Sequence, residues 1–184
     1  MELKESLKDW KVVLASASPR RKELFDKYGI DYTVDFVETE EVLDESLTLF
    51  KRLENIALQK AKPLQIKYPN NIIVSADTMV TFQDEMLGKP KNREDAKRML
   101  ELLSNNKQVV ITAVCIIKDQ QSTTFTDATT VTFKKISDQE IEDYLDTNEW
   151  QGKAGAYAIQ GVASKFVEKI IFNFLIRYFF KCNS

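Results

Sequence analysis

The chain has 184 residues, 43% hydrophobic and 29% charged, with a formal net charge of -2, which suits one globular domain or two small lobes sharing a core. A balance so near neutral excludes a global field for polyanions, so nucleic acid is not an expected partner and any anion must be gripped by a local cluster of Lys and Arg. There is no histidine, which removes His-based triads and His-ligated metals and leaves acid–base chemistry to carboxylates or lysines.

The N-terminal stretch Met1–Lys11 is polar and charged, without the apolar run and small-residue cleavage site of a signal peptide. Lys11–Ala15 reads as a short buried strand. Ser18 is placed as the N-cap of a helix that opens at Pro19 and stops near Tyr28 before Gly29. Tyr32–Phe36 alternates as a second strand, and the acidic stretch Glu38–Glu45 follows as a loop. From about Leu47 to Ile66, Leu49, Leu53, Ile56, Ala57 and Leu64 recur at helical spacing, which puts Lys60 on or near a helix edge.

Ile72–Ser75 is an apolar run of central-strand length with Ala76-Asp77-Thr78 at its carboxyl end. A hairpin through Gln83-Asp84-Glu85 then delivers Gly88-Lys89-Pro90 to the entrance of a helix from about Arg93 to Leu103, which buries Ala96, Met99, Leu100 and Leu103. Gln108–Ile117 and Thr123–Phe133 are two long strands joined by a polar turn. Ser137-Asp138-Gln139-Glu140 matches a capping box opening a helix to about Leu145. Gly152–Gly161 is a loop with three glycines, and Ser164–Ile171 is a last strand. The order of elements is α/β, without repeats or an obvious linker.

Cys115 and Cys182 stand far apart with no C-x-x-C pair, which points to a reducing compartment, hence the cytoplasm, and to no structural zinc. Ile170–Phe180 is apolar but broken by Asn173 and Arg177, and its length falls short of the roughly 20 residues that span a bilayer. It is expected to be packed core or an anomaly of the sequence, and not a membrane anchor.

Cations lie beside turn signals in separate parts of the chain. Arg20 and Arg21 fall in the opening turn of a helix, where backbone N–H groups and the dipole attract phosphate and guanidinium forks add bidentate contacts. Two arginines there are equally well read as solvated charge, but positive charge at a positive helix end calls for a compensating partner. Lys60 and Lys89, taken singly, read as surface lysines; Lys89 is set apart by its rigid place between Gly88 and Pro90. Asp77 lies at a strand end, where open α/β sheets bind ligands, although an Asx-turn explains an Asp there as well. Glu41 belongs to an acidic run that in isolation reads as a solvated loop. Together, Glu41 and Asp77 could hold a hard Mg2+ or Mn2+, and a loop carboxylate could deprotonate a polarised water. In the segment from Gly152 to Gly161 the glycines permit close backbone approach, and Gln160 offers a donor and an acceptor to a base edge.

Six segments in order, Leu14-Ala15-Ser16-Ala17-Ser18-Pro19-Arg20-Arg21, Ala57-Leu58-Gln59-Lys60-Ala61, Ser75-Ala76-Asp77-Thr78, Leu87-Gly88-Lys89-Pro90, Met99-Leu100-Glu101-Leu102-Leu103-Ser104 and Lys153-Ala154-Gly155-Ala156-Tyr157-Ala158-Ile159-Gln160-Gly161, resemble the Maf (septum-formation) family of nucleotide pyrophosphatases over about Val12 to Ile170. The resemblance implies an α/β fold, a two-lobed mixed sheet with flanking helices and a central cleft similar to the inosine-triphosphate pyrophosphatase fold, in a homodimer. It implies hydrolysis of a nucleoside triphosphate between the α and β phosphates, dependent on a divalent metal. Asp77 matches the carboxylate that activates water, Glu41 the metal-associated glutamate, Arg20, Lys60 and Lys89 the phosphate-binding cations, and Ser18 the serine of the same loop. Arg21, Thr78 and Gln160 match the residues marking the branch that acts on dTTP and UTP. Two departures stand out: Asn105 and Gln108 replace a glycine and a histidine common in the family, and the stretch from Ile170 to Ser184 lacks its closing Gly-Leu-Pro strand and helix. That altered end suggests a frameshift or truncation, and with it an alternative reading as a catalytically impaired nucleotide-binding regulator linked to septum formation.

Overall fold

A computed structural model describes residues 3–38, 42, 44–83 and 85–172. Glu41, the apolar tail beyond Phe172 and Cys182 lie outside the described residues. The chain forms a seven-stranded mixed sheet with flanking helices, strand order β2-β1-β3-β5-β6-β7 with β4 on β3. It divides into two compact units, one of Met1–Asp77 and Ala113–Thr126, the other of Thr78–Thr112 and Asp127–Ser184.

In the first unit the strand β1 (Val12–Ala15) is buried at every residue because it is central, pairing in parallel with β2 (Tyr32–Val34) on one side and β3 (Ile72–Phe82) on the other. A short helix α1 (Leu3–Leu7), not anticipated from the charged N-terminal sequence, precedes it. The helix α2 (Pro19–Lys27) opens with proline at its first position, where the missing N–H costs nothing. It closes into Gly29, whose φ of 61° is the left-handed conformation that glycine adopts without a Cβ penalty. The expected strand Tyr32–Phe36 is shorter than its alternation suggests: β1 ends at Ala15, so nothing remains for Phe36 to pair with. The Asp35 side chain instead accepts from Lys67 at 2.6 Å and Tyr68 at 2.8 Å. The helix α3 (Leu49–Lys67) buries Leu53, Ile56, Ala57, Ala61 and Leu64 along one stripe. It starts two residues later than the apolar spacing predicts because Arg52 donates to the carbonyls of Leu47 and Glu45 and holds them in the preceding turn.

The largest correction concerns β3. The apolar run stops at Ser75, but the strand continues through Asp77 to Phe82. Its parallel pairing with β1 ends at Ala15↔Ser75, and an antiparallel partner, β4 (Glu85–Leu87), takes over at Val80↔Leu87. Small polar residues interrupt the hydrophobic pattern there without interrupting the pleat.

The second unit has a continuous core built from α4 (Arg93–Leu103), α5 (Asp138–Asp146), β4, parts of β3, β5 (Lys107–Lys118) and β6 (Gln121–Phe133), and the glycine loop. The Asn92 side chain caps α4 by accepting from Asp95 N–H, and Ser137 and Glu140 form the capping box expected for α5. The backbone N–H of Ser137 holds the Glu140 carboxyl down at about 2. β5 turns into β6 through Asp119 and Gln120, both at positive φ as two-residue hairpin turns require. The last strand, β7 (Val167–Phe172), begins later than sequence alternation suggests. Val162–Phe166 is a 3₁₀ turn that buries Ala163 and Phe166, three residues apart, a period of three and not two. β7 then pairs antiparallel with β6. Cys115 is fully buried, and burial pushes its thiol up to about 11. Among the described residues no helix is long and apolar enough to cross a membrane.

Candidate active site

Asp77 lies two residues beyond the last β1–β3 rung, on the same face of β3 as Ser75. That face meets α3 through two contacts in step. Ser75 Oγ donates to the Ala57 carbonyl at 2.5 Å, and Lys60 Nζ, three residues further along the helix, donates to Asp77 Oδ1 at 2.5 Å. The advance of about 4.5 Å over three helical residues and about 6.6 Å over two strand residues keeps both pairs in reach. The Lys60 and Asp77 side chains are only 23% and 13% exposed, so their attraction is far less screened than that of a surface pair.

The loop between β1 and α2 folds over the same strand. Ser16, buried at the end of β1, accepts from the Ser18 N–H at 3.2 Å and from Arg21 Nη1 at 3.0 Å. Arg21 Nη1 also donates to the Ala76 carbonyl at 2.7 Å, which brings the guanidinium beside Asp77. Burial pulls the Arg21 guanidinium below its ordinary value, and the Asp77 charge pushes it back up. The compensating partner that an arginine in a first helical turn calls for is thus a strand carbonyl and a carboxylate. Arg20 is half-buried in the same turn, and the Ser18 side chain makes no capping hydrogen bond. The first unit therefore gathers Asp77, Lys60 and Arg21, with Ser18 and Arg20 on the adjoining loop and helix turn. Among the described residues no group of three or more His, Cys, Asp or Glu side chains is placed to hold a metal ion.

Thr78, Lys89 and Gln160 belong to the second unit. Thr78 Oγ1 lies 3.1 Å from Thr112 Oγ1, a bond between neighbouring strands. Lys89 is exposed in its turn, and Gly88, beside it, accepts from the Gly155 N–H at 3.0 Å, tying the Lys89 turn to the glycine loop. Gln160 is exposed near the loop's end. The loop's foot is held from inside: Tyr144 OH donates to the Ala156 carbonyl at 3.1 Å, and the Tyr157 hydroxyl lies 3.5 Å from the Gln108 amide. With its NH2 turned toward the Asn106 and Val131 carbonyls, both 3.1 Å away, the Gln108 amide satisfies a fully buried position.

Burial pushes the Tyr157 phenol from its ordinary 10.0 up to about 12. Because the folded state holds this proton more tightly than the unfolded chain, its contribution is complete below pH 10 and is lost as pH rises from 10 to 12. Over that window wild type should lose about 2–3 kcal/mol more stability than Tyr157→Phe. Urea melts of both proteins at intervals across the window check this, and parallel stability–pH curves would refute it.

Sequence reading missed Ser16, Ser75, Thr112 and Tyr144. Ser16 and Ser75 sit inside quoted motifs, so their positions were visible and their partners were not. The others are unremarkable in sequence and acquire partners only from strand and helix register.

Fold and site so far define an α/β protein with a carboxylate gripped by a lysine and an arginine just past the end of a parallel strand pair. The Maf-like protein family model matches residues 11–174, and the chain belongs to that family. It is 44% identical over 161 residues to the dTTP/UTP pyrophosphatase of Acholeplasma laidlawii (strain PG-8A), covering 86% of this chain and 84% of that protein. Likewise it is 42% identical to the dTTP/UTP pyrophosphatase of Bacillus velezensis (87% and 85% covered) and 40% to that of Bacillus cereus strain G9842 (87% and 84% covered). Among solved structures, the Ham1 protein of Staphylococcus aureus matches with a TM-score of 0.45 and 15% identity over 67% of this chain and 71% of that one.

Proposed function

We propose that this protein is a nucleoside triphosphate pyrophosphatase acting on dTTP and UTP, or modified forms of them, in cytoplasmic nucleotide-pool house-cleaning as a homodimer. Supporting the reading is the Asp77–Lys60 pair beside Arg21, in a chain 40–44% identical to proteins named for that activity. In the structure the Lys60 ammonium occupies one oxygen of this carboxylate. A triphosphate brings several negative charges that compete for Lys60, and transfer of the ammonium to a phosphate oxygen leaves Asp77 free to accept a proton. Water then attacks the α phosphorus, its proton passes to Asp77, and the bond to the bridging oxygen breaks, with the electron pair leaving on pyrophosphate. Arg20, Lys60 and Lys89 stabilise charge on the phosphates, with Ser18 and the α2 N-terminus offering further donors. Arg21, Thr78 and Gln160 read the pyrimidine.

A divalent Mg2+ or Mn2+ fits this donor set. Such a cation keeps waters and takes phosphate oxygens, so it needs one or two protein carboxylates, which Asp77 and Glu41 would supply. When bound it would polarise the attacking water and neutralise phosphate charge.

Pyrophosphate release should be measured across dTTP, UTP, CTP and purine triphosphates with Mg2+, Mn2+ and chelator. Turnover of dTTP and UTP well above the purines, abolished by chelator, is the expected result. Tight nucleotide binding with no pyrophosphate from any substrate would overturn the proposal.

A further inference from the structure

The glycine loop is anchored unevenly. Just before it, Trp150 Nε1 donates to the Leu145 carbonyl at 3.0 Å, and the loop's first half is tied to the core by Gly155 on Gly88 and by Tyr144 on Ala156. Its end, where Gln160 stands, carries the local turn bonds Gly161 N–H to Ala158 and Ser164 N–H to Gly161. One further contact reaches across the loop: Glu149 Oε2 accepts from the Val162 N–H at 2.8 Å, thirteen residues on. The other oxygen, Oε1, is buried and has no hydrogen-bond partner among the described residues. It is pressed against Gly161, where a Cβ would lie 1.9 Å from it and 2.4 Å from the carboxyl carbon. Gly161 has a φ of -105°, open to any residue, and the atoms an added Cβ would meet are all at the flexible end of the Glu149 side chain, so a methyl there would displace the carboxylate and not strain the backbone. A buried carboxylate oxygen left without a donor is unfavourable, and a glutamate held that way needs a gain elsewhere.

We infer that Glu149 is a positioning residue: its carboxylate clasps the end of the glycine loop, with Gly161 cut away to admit it, and so holds the neighbouring Gln160 where the pyrimidine is read. This rests on the proposed role of Gln160. It makes Glu149 and Gly161 a coupled pair, since either removing the carboxylate or filling its place opens the clasp.

The test uses Glu149→Ala, Glu149→Gln, Gly161→Ala, the double Glu149→Ala/Gly161→Ala and Gln160→Ala in the full chain. Amide exchange at Val162 reports the clasp, and kcat and KM for UTP against ATP report base selection. In Glu149→Ala, Val162 exchange should rise and UTP-over-ATP selectivity should fall about tenfold, the worth of one hydrogen bond, through KM more than kcat. Glu149→Gln, which keeps an acceptor for Val162, should restore both. Gly161→Ala should match Glu149→Ala, and the double variant should be no worse than either single. Val162 exchange in Glu149→Ala at the wild-type rate overturns the clasp. Loss of selectivity in Gln160→Ala but not in Glu149→Ala overturns the positioning role. Unchanged selectivity in Gln160→Ala itself overturns the reading of Gln160 instead, and Val162 exchange then decides the clasp alone.

Discussion

Asp77→Asn should lower pyrophosphate release by about 100- to 10,000-fold, the range that a positioned general base contributes, while nucleotide binding survives. The amide keeps the shape of the carboxylate, so packing against α3 is preserved, but it cannot take a proton at neutral pH. It also surrenders the charge that holds Lys60 at 2.5 Å. Lys60, 23% exposed, keeps its charge beside the site, so the dissociation constant should stay within a few-fold of wild type. Single-turnover kinetics with dTTP and calorimetric titration of the nucleotide measure the two effects separately. Turnover within a few-fold of wild type would remove Asp77 from the chemistry. Recovery of the lost rate at high Mg2+ would assign the residue to holding the cation and not to deprotonating water.

Gly155→Ala should be the most damaging single methyl in the glycine loop, destabilising the protein by about 2–4 kcal/mol. Two independent costs meet there. The φ of 65° is left-handed, and an added Cβ would lie 2.9 Å from Val80 Cγ2 and 3.0 Å from Val80 Cβ, inside the core of the second unit. Gly152 separates the two: its φ is 68°, but a Cβ there meets nothing within 4 Å, so Gly152→Ala should cost only the conformational part, about 1 kcal/mol. Urea midpoints with unchanged m-values measure both. Equal losses in the two variants would mean that the loop does not sit tightly on Val80. The same methyl should weaken Lys89, because the Gly155 N–H holds the Gly88 carbonyl beside it.

Local signals were legible wherever a helix or turn announces itself chemically. The start of α2 at Pro19, its stop before Gly29, α4 at Arg93–Leu103 with its buried stripe, and the Ser137–Glu140 box at the head of α5 are all written in neighbouring residues. β1 was legible as a continuous apolar run buried at every residue, and β5 and β6 by their content of Val, Ile, Thr and Phe. Strand ends were not. β2 stops early because β1 runs out of residues, and β3 runs on because β4 replaces β1 as its partner. A strand's length is a property of its neighbours, which the strand's own sequence does not contain.

For the site, the residue types were determined by the sequence alone. A chain without histidine must use carboxylates and cations, and its motif order names the Maf-like family. Contacts were decided only on folding. Lys60 reaches Asp77 because Ser75 sets α3 in step with β3, and Arg21 turns inward because Ser16 and the Ala76 carbonyl receive it. Glu149 is an ordinary surface-type residue until the chain returns thirteen positions later and a glycine makes room for it. Composition and short-range pattern carry chemistry and local conformation. Which charge meets which depends on register between elements far apart in the chain, and register exists only once those elements have packed.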